Sequence, residues 1–471
     1  MELHYLSAVE AIELFQTHKL SPVELMKAVI ARAEAVEPRI NAFSYRYFEE
    51  ALQAAHTAEA RYQSGNARAL EGIPLAVKDE AFIEGKITSN GSLLWTENVA
   101  TYTSPYVERL LEAGAIVHAR TTTPEFSITA ATWSKLWGVT RNPWNLALTP
   151  GGSSGGSGAA LAAGSTTLAT GSDIGGSIRI PAAMCGVVGF KPPYGRVPEQ
   201  PPFNLEYYNH IGSMARTVED CILMQNVIAG PHERDIATIK PKLTLPRRYD
   251  GIRGWRIAYS LDLDYFTIDD ETRRNTLAAL DIFRQLGATV EAVELGWRPS
   301  AYKAAIDHIC YGPSGAYLEQ TYAESKESLT PYARQMAEHA MHMTMQEFLE
   351  AEMVAAEMYL GLSQVFASYD LFICPSLATN QVPADFDHSR DTLTVNGTTY
   401  RALEWLMTYP FNMLSRCPVL NLPSGIASNG APTGIQLVAP TYEDAVVFQA
   451  AAAYEQAQGG FINASNFPKY L

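Results

Sequence analysis

The chain has 471 residues, of which 47% are hydrophobic and 18% charged, so it has ample material for a large packed core and no sign of disorder. Its formal net charge of −15 opposes binding to nucleic acid, because that binding depends on clustered Lys and Arg side chains. No run of about 18 or more apolar residues is present, so we expect no membrane span and no membrane partner.

The N-terminus and the cysteines predict a cytoplasmic protein. Glu2 and His4 stand where a secretory signal would carry Lys or Arg, and no cleavage site follows an apolar stretch. The five cysteines are odd in number, widely separated and without a CxxC pair, which argues against a disulfide framework and a structural zinc site.

The first third of the chain predicts helices followed by a buried strand. Ser7 and Ser21 each precede a Glu by three residues, which is the capping-box pattern at a helix start, so we predict that residues 1–65 are mainly helical. The apolar run GIPLAVKDE at 72–80 predicts a buried strand that ends at Lys78.

Helix and strand patterns alternate through the rest of the chain. Residues 104–120 predict a helix followed by a strand, and residues 250–300 predict strand, helix and strand. Residues 313–368 predict mainly helix, YDLFICPS predicts another buried strand, and a last helix is expected at about 443–456. This alternation, with no clear linker or repeat, predicts an α/β protein.

A stretch rich in Gly, Ser and Ala lies between Pro143 and Gly195. A solvated linker is disfavoured, because apolar segments such as TLAT and VVGF are interleaved with the small residues. A phosphate-binding loop is disfavoured as well, because GGSSGGSG at 151–158 lacks the Lys that would contact phosphate.

A nucleophile elbow is a further interpretation of this stretch. Residues 151–155 match GxSxG with Ser153 at the centre, although RNPWNLALTP before it does not predict the strand that an elbow requires. An α/β-hydrolase that uses Ser153 with a histidine base therefore stays open. The available bases are His210, His232, His308, His339, His342 and His388.

Three segments taken together resemble the amidase signature family. They are VKD at 77–79, GGSSGGS at 151–157 and GSDIGGSIRIP at 171–181. The segments RNPW, GVVGFKPPYGRVP and SMARTVEDC extend the resemblance over most of the chain, and motifs of this joint length are far more specific than a lone short motif.

The resemblance implies the fold in more detail. It implies one amidase domain over 1–471, in which a central mixed, twisted sheet carries helices on both faces. Within it we expect the helical segment 1–65, a signature core at 66–200 and a variable region at 300–410 that forms the substrate pocket.

The resemblance also implies a catalytic triad of Ser177, Ser153 and Lys78. Ser177 matches the nucleophile, Ser153 the bridging serine that usually follows a cis peptide bond, and Lys78 the base. A lysine can act as a base only when neutral, and burial would favour that form. The alternative is an ordinary surface lysine, or one paired with Asp79. We expect no metal or organic cofactor.

The loop around Ser177 implies an oxyanion hole. Its glycines allow successive backbone N–H groups to converge on one point. By resemblance, Asp173 and Arg179 support this loop through hydrogen bonds. The implied donors are the amides of Ile174, Gly175, Gly176 and Ser177.

Substrate contacts are expected from Ser127 and Thr129, which align with the segment that lines the acyl pocket in the family, and from Ser172 beside the nucleophile loop. Each of the three could equally be a satisfied core hydroxyl.

A second group of mainly aromatic residues suggests an apolar or aromatic pocket wall, with core packing as the alternative. Its members are Phe203, Tyr207 and Tyr208, and more weakly Cys310 and Tyr311.

The predicted function is hydrolysis of a small carboxamide, anilide or carbamate through an acyl-enzyme on Ser177, by a monomer or homodimer. One alternative is the glutaminase-type subunit of an amidotransferase, although PPFNLEYYNHIG at 201–212 differs from the SSLDQIGP-like stretch that we expect in that subunit. The α/β-hydrolase that uses Ser153 is another. A catalytically inactive scaffold is disfavoured by the intact triad.

Overall fold

The computed structural model describes residues 2–463 and 466–469, and a mixed sheet of eleven strands runs through this part of the chain. In chain order the strands are β1 (Phe43–Arg46), β2 (Pro74–Lys78), β3 (Ile116–Thr121), β4 (Trp133–Ser134), β5 (Gly138–Val139), β6 (Leu168–Asp173), β7 (Val188–Lys191), β8 (His210–Ala215), β9 (Arg256–Tyr259), β10 (Thr289–Ala292), β11 (Leu371–Pro375), β12 (Thr392–Val395), β13 (Thr398–Arg401), β14 (Val419–Ile426) and β15 (Pro432–Val438).

The large sheet combines parallel and antiparallel strands in the order β1-β3-β2-β6-β8-β7-β14-β15-β11-β9-β10. Strands β3, β2 and β6 are parallel neighbours, and so are β11, β9 and β10, whereas the pairs between these groups are antiparallel. Strands β4 and β5, and likewise β12 and β13, form separate antiparallel pairs.

Helices surround this sheet. In chain order they are α1 (Ala8–Gln16), α2 (Pro22–Ile40), α3 (Phe48–Gln63), α4 (Pro105–Glu112), α5 (Gly155–Ala163), α6 (Arg179–Cys185), α7 (Val218–Ile228), α8 (Asp270–Gln285), α9 (Ser300–Tyr311), α10 (Pro313–Ser325), α11 (Pro331–Ala340), α12 (Met345–Phe366), α13 (Pro410–Met413) and α14 (Asp444–Gln458). Among the described residues, none of these helices has the length and apolar composition needed to cross a membrane.

Neighbouring residues of one strand enter different hydrophobic clusters. In β2, Leu75 and Val77 belong to a cluster that also contains side chains of α7, α8 and α14, whereas Ala76 belongs to the cluster that contains side chains of α5 and α6. In β11, Ile373 belongs to the first cluster and Phe372 to a cluster that includes α9 and α12. Successive strand side chains point to opposite faces, so helices cover both faces of the sheet, and the predicted fold class is confirmed.

The N-terminal segment is helical with one interruption. Ser7 and Ser21 both form the predicted capping boxes, at the starts of α1 and α2. Strand β1 lies between α2 and α3 and pairs with β3 at the edge of the sheet. A strand of four residues between two long helices shows too few alternations to be recognised from its own sequence.

The parallel pair of β2 and β6 positions the candidate site. Lys78 is the last residue of β2, and Asp173 is the last residue of β6. The two strands run in the same direction, so their carboxyl ends meet at one edge of the sheet. The Lys78 amide donates a hydrogen bond of 2.9 Å to Thr170 Oγ1 and thereby ties the two ends together.

Candidate active site

Lys78 lies in an enclosed polar site at the end of β2. Its side chain is 1% exposed, and its Nζ lies 2.7 Å from Ser153 Oγ and 2.8 Å from Ser172 Oγ. Glu80 is a third partner, with Oε2 at 3.1 Å from Nζ. Lys78 therefore contacts Ser153, one of the two predicted catalytic serines, and Glu80, which was not predicted to belong to the site.

The alternative pairing of Lys78 with Asp79 is wrong. Asp79 is buried and points away, toward Arg120, with 3.4 Å between Arg120 Nη2 and Asp79 Oδ1. Adjacent residues of an extended segment project to opposite sides, so Lys78 and Asp79 do not face each other. The chain turns after Lys78, and this turn places Glu80 on the side of Lys78.

The protonation of Lys78 reflects these surroundings. Burial lowers the pKa of Lys78 below its usual value, because the ammonium loses its water. The Glu80 carboxylate and, less strongly, Asp173 oppose this shift without reversing it. The net direction is the one that a lysine needs to act as a base near neutral pH.

Ser153 and Ser177 occupy neighbouring segments. Ser153 follows a cis peptide bond after Gly152, shortly before α5, and is 1% exposed. Ser177 is 8% exposed and lies shortly before α6, and the amide of Ser154 donates to its carbonyl oxygen at 3.2 Å. Both serines line the same cavity. Within the described residues no hydrogen bond engages the Ser177 hydroxyl.

The loop before Ser177 presents unused backbone donors. The amides of residues 174–177, which were predicted to form the oxyanion hole, donate no hydrogen bond to an acceptor in the described part of the chain. Three of these four residues line the cavity. Gly176 has φ +125°, and a Cβ there would overlap the side chain of Thr408, which donates to Gly175 O at 2.7 Å. The four amides belong to Ile174, Gly175, Gly176 and Ser177.

A buried ion pair supports this loop from below. Arg179 Nε and Nη2 donate to the two carboxylate oxygens of Asp173 at 2.9 and 2.8 Å, and neither side chain is exposed. Burial alone would raise the pKa of Asp173, but the Arg179 guanidinium and the Asn412 amide hold it well below the usual value. The pair spans the loop and so fixes its two ends, as expected for a structural role.

The cavity in front of the serines has a volume of about 360 Å³, within the range typical of small-molecule sites. Aliphatic side chains such as Ile306, Ile309 and Leu318 form part of its wall. The region 300–410 was predicted to form the pocket, and it supplies part of the lining, whereas the contribution of the segment 80–106 was not predicted. The aromatic lining consists of Phe82, Trp95, Tyr102, Tyr106, Phe126 and Phe203.

The three predicted substrate-contact residues all line the cavity, but their hydroxyls already have protein partners. The Ser172 hydroxyl contacts Lys78, as described above. Ser127 Oγ donates to Asn90 Oδ1 at 3.0 Å, and Thr129 Oγ1 lies 2.5 Å from His388 Nδ1. These hydroxyls shape the wall through their own hydrogen bonds.

The predicted aromatic wall is formed by Phe203 and not by its two neighbours. Tyr208 stacks on His308 with ring centroids 3.6 Å apart, and Tyr207 donates to Glu352. His308 in turn lies 2.9 Å from Glu206 and 2.7 Å from Glu352. Tyr207 and Tyr208 therefore belong to a buried polar cluster that joins this loop to α9 and α12.

Cys310 and Tyr311 do not line the cavity. Ile306 and Ile309, three residues apart on α9, take that face of the helix. Cys310 packs with its Sγ 3.1 Å from Met336 Sδ, and Tyr311 stacks on Phe348. Apolar residues lie on several faces of α9, so its sequence does not indicate which face lines the cavity.

The described histidines provide no base for Ser153, whose hydroxyl partner is Lys78. His210 bonds to the carbonyl oxygens of Asp173 and Ser415, and His388 bonds to Thr129. This geometry does not support the nucleophile-elbow interpretation.

Known proteins share this architecture across nearly the whole chain. A bacterial aryl acylamidase of the amidase signature enzymes has a solved structure with a TM-score of 0.90 and 29% identity, covering 97% of each chain. An acylamidase from Rhodococcus erythropolis is 32% identical over 96% of this chain and 95% of its own. The glutamyl-tRNA(Gln) amidotransferase of Roseiflexus sp. (strain RS-1) has a subunit that is 33% identical over 96% of both chains.

The fold and the relatives show the class of this protein. It is a hydrolase that acts on carbon–nitrogen bonds other than peptide bonds. The family model Amidase matches residues 24–448. The chain belongs to the amidase signature family, as its motifs indicate.

Proposed function

We propose that this protein is a serine amide hydrolase that forms an acyl-enzyme on Ser177. The observation that carries the proposal is the contact of 2.7 Å between Lys78 Nζ and Ser153 Oγ, at the wall of a cavity that Ser177 also lines. Ser177 attacks the carbonyl carbon while its proton passes to Ser153, and Ser153 passes its own proton to neutral Lys78.

The proton then returns through the same groups to the leaving nitrogen as the carbon–nitrogen bond breaks. Water hydrolyses the acyl-enzyme and restores the Ser177 hydroxyl. The free amides of residues 174–177 stabilise the negative oxygen of each tetrahedral intermediate, because they are already oriented before charge develops. Asp173 and Arg179 hold these amides in place.

An anilide is the substrate that the cavity favours among carboxamides, anilides and carbamates. Its aromatic and aliphatic lining suits a flat apolar ring, which gains from burial and edge-to-face contacts. The names of the acylamidase and aryl acylamidase relatives agree with this choice. We therefore expect a small molecule, with an N-aryl group or an aromatic acyl group, as the natural substrate.

The second candidate is the glutaminase-type subunit of an amidotransferase, which the relative at 33% identity favours. Free glutamine is small and strongly polar, however, and the aromatic and aliphatic side chains that form much of the cavity wall do not replace the water that its ammonium and carboxylate would lose. We rank this candidate below an independent amidase.

A substrate panel tests the proposal. Purified protein should hydrolyse an acetanilide or a substituted anilide with kcat/KM at least about tenfold above that for glutamine, because the apolar cavity desolvates a ring more readily than charges. Ser177→Ala should abolish turnover of every substrate while thermal unfolding stays that of the parent. Hydrolysis at the parental rate by Ser177→Ala would refute the acyl-enzyme.

A further inference from the structure

Glu80 contacts the proposed base from the side of the cavity. Its Oε2 lies 3.1 Å from Lys78 Nζ, its side chain is 18% exposed, and it lines the cavity with Ser153 and Ser177. Its other oxygen, Oε1, is buried and has no hydrogen-bond partner in the described part of the chain. Lys78 therefore forms an ion pair with this carboxylate.

The position of Glu80 follows from the local chain. Strand β2 ends at Lys78, and the next two residues form a turn. Within this turn the Glu80 side chain faces back toward Lys78, whereas the Asp79 side chain faces Arg120. A glutamate two residues after the lysine thus meets the ammonium without any contribution from a distant segment.

The other ionisable groups around this pair are neutral or already matched. Asp173 is paired with Arg179, with both side chains fully buried. Burial raises the pKa of Glu199, across the cavity, to about 8, and it raises the pKa of Tyr106 well above its usual value, so both are uncharged at neutral pH. Glu80 is therefore the nearby carboxylate whose charge acts most directly on Lys78.

Resting on the proposed function, we propose that Glu80 is a positioning residue that acts through Lys78: its carboxylate directs Nζ toward Ser153 and stabilises the ammonium that forms when Lys78 accepts the proton. The role resembles that of the aspartate in a Ser-His-Asp triad, which orients the base and stabilises its charged form without taking the proton itself. No bond is made or broken at Glu80.

The same attraction has a cost at low pH. A carboxylate close to an ammonium favours the protonated lysine, so a larger share of Lys78 is already protonated, and unable to act as a base, in the resting enzyme. Glu80 therefore strengthens the base while raising the pH at which the enzyme becomes active. Its removal should therefore lower both the plateau rate and the pH at which the enzyme becomes active.

The test is the pH profile of kcat/KM for Glu80→Gln with an anilide substrate. The neutral amide keeps the size of the side chain and loses its charge. We expect the acid limb to move down by about 1–3 pH units, because an opposite charge at this distance shifts a pKa by that amount. We also expect the plateau rate to fall by roughly tenfold or more, because the forming ammonium loses its stabilising partner.

Two further variants keep this test decisive. Glu80→Asp retains the charge and should keep the acid limb nearer to that of the parent than Glu80→Gln does. Glu199→Gln changes a residue of the same cavity that is uncharged below about pH 8, so it should leave the acid limb in place. Thermal unfolding of each variant shows that the comparison is made between folded proteins.

The outcomes separate this inference from the proposed function. If Ser177→Ala is inactive but Glu80→Gln keeps the parental acid limb, or if Glu80→Gln loses rate with no shift in the limb, Glu80 has only a structural role and the inference is wrong. If Ser177→Ala is active, the proposed function itself is wrong.

Discussion

Two buried lysines show how single residues of one type acquire different roles. Lys191 in β7 is as enclosed as Lys78, and burial lowers its pKa to about 7. Its Nζ donates to the carbonyl oxygen of Cys417 at 2.9 Å. Lys78 instead contacts Ser153. Burial makes each lysine a possible base, and the contact with Ser153 is what distinguishes Lys78 from Lys191.

Lys78→Met should reduce kcat by a factor of about 10² to 10⁴, because the relay loses the group that accepts its proton. Methionine keeps most of the volume of the side chain and removes a buried charge, so folding should be retained. Steady-state kinetics with an anilide, together with thermal unfolding, provide the measurement.

Lys191→Met is the matched control, since it removes a second buried amine with lowered pKa that does not contact either serine. Its kcat per folded molecule should stay close to that of the parent. Near-parental activity of Lys78→Met, or equal losses in both variants, would contradict the assignment of Lys78 as the base.

Short elements carry the site, and the loop between β6 and α6 is the most constrained of them. Gly176 has a φ of +125°, which other residues rarely adopt, and the Thr408 side chain occupies the space where a Cβ would lie. Gly175, one residue earlier, has no atom within 4 Å of the position of a Cβ. Gly175 therefore has space for a side chain, whereas Gly176 does not.

Gly176→Ala should lower the free energy of unfolding by about 1–3 kcal/mol, because the added methyl group meets both strain and overlap. It should also reduce kcat by a factor of roughly 10² or more, since displaced amides no longer stabilise the oxyanion. Denaturant unfolding and steady-state kinetics measure the two effects.

Gly175→Ala should change the free energy of unfolding by no more than about 0.5 kcal/mol, as for a substitution into open space. Equal stability of the two variants would show that the conformation of Gly176 is not required.

At the scale of the whole molecule, the proposed function predicts that this chain acts as an independent amidase. The fold brings together Lys78, at the end of β2, and Ser153, in the loop before α5, which lie 75 positions apart in the chain.

Purified protein without any companion chain should therefore hydrolyse anilides, and gel filtration should locate that activity in a peak of monomer or homodimer size. A component of an amidotransferase would instead gain activity only after its partners are added. Absence of anilide hydrolysis in the isolated chain, followed by glutamine hydrolysis with such partners, would favour the second candidate.

Sequence alone determined the fold class, the strand that ends at Lys78 and the three motifs that name the family. These properties are local: apolar periodicity specifies strands and helices, and a motif is a contiguous run of residue types. The aromatic pocket wall predicted at Phe203, Tyr207 and Tyr208 is present only in part. Phe203 lines the cavity, while Tyr207 and Tyr208 pack around His308. Which way a side chain faces depends on neighbours that lie far away in the sequence.

Only the tertiary structure decided what surrounds the motifs. Thr129 proved to be bonded to His388, which lies 259 positions further along the chain, and no local pattern anticipates such a pair. Phe82 and Trp95 entered the cavity wall from a segment with no recognisable motif. Glu80 lies only two residues after Lys78, yet the turn after β2, which strand alternation does not predict, is what brings its carboxylate to Lys78 Nζ. The chemistry of the site was encoded locally, whereas its pocket was created by long-range packing.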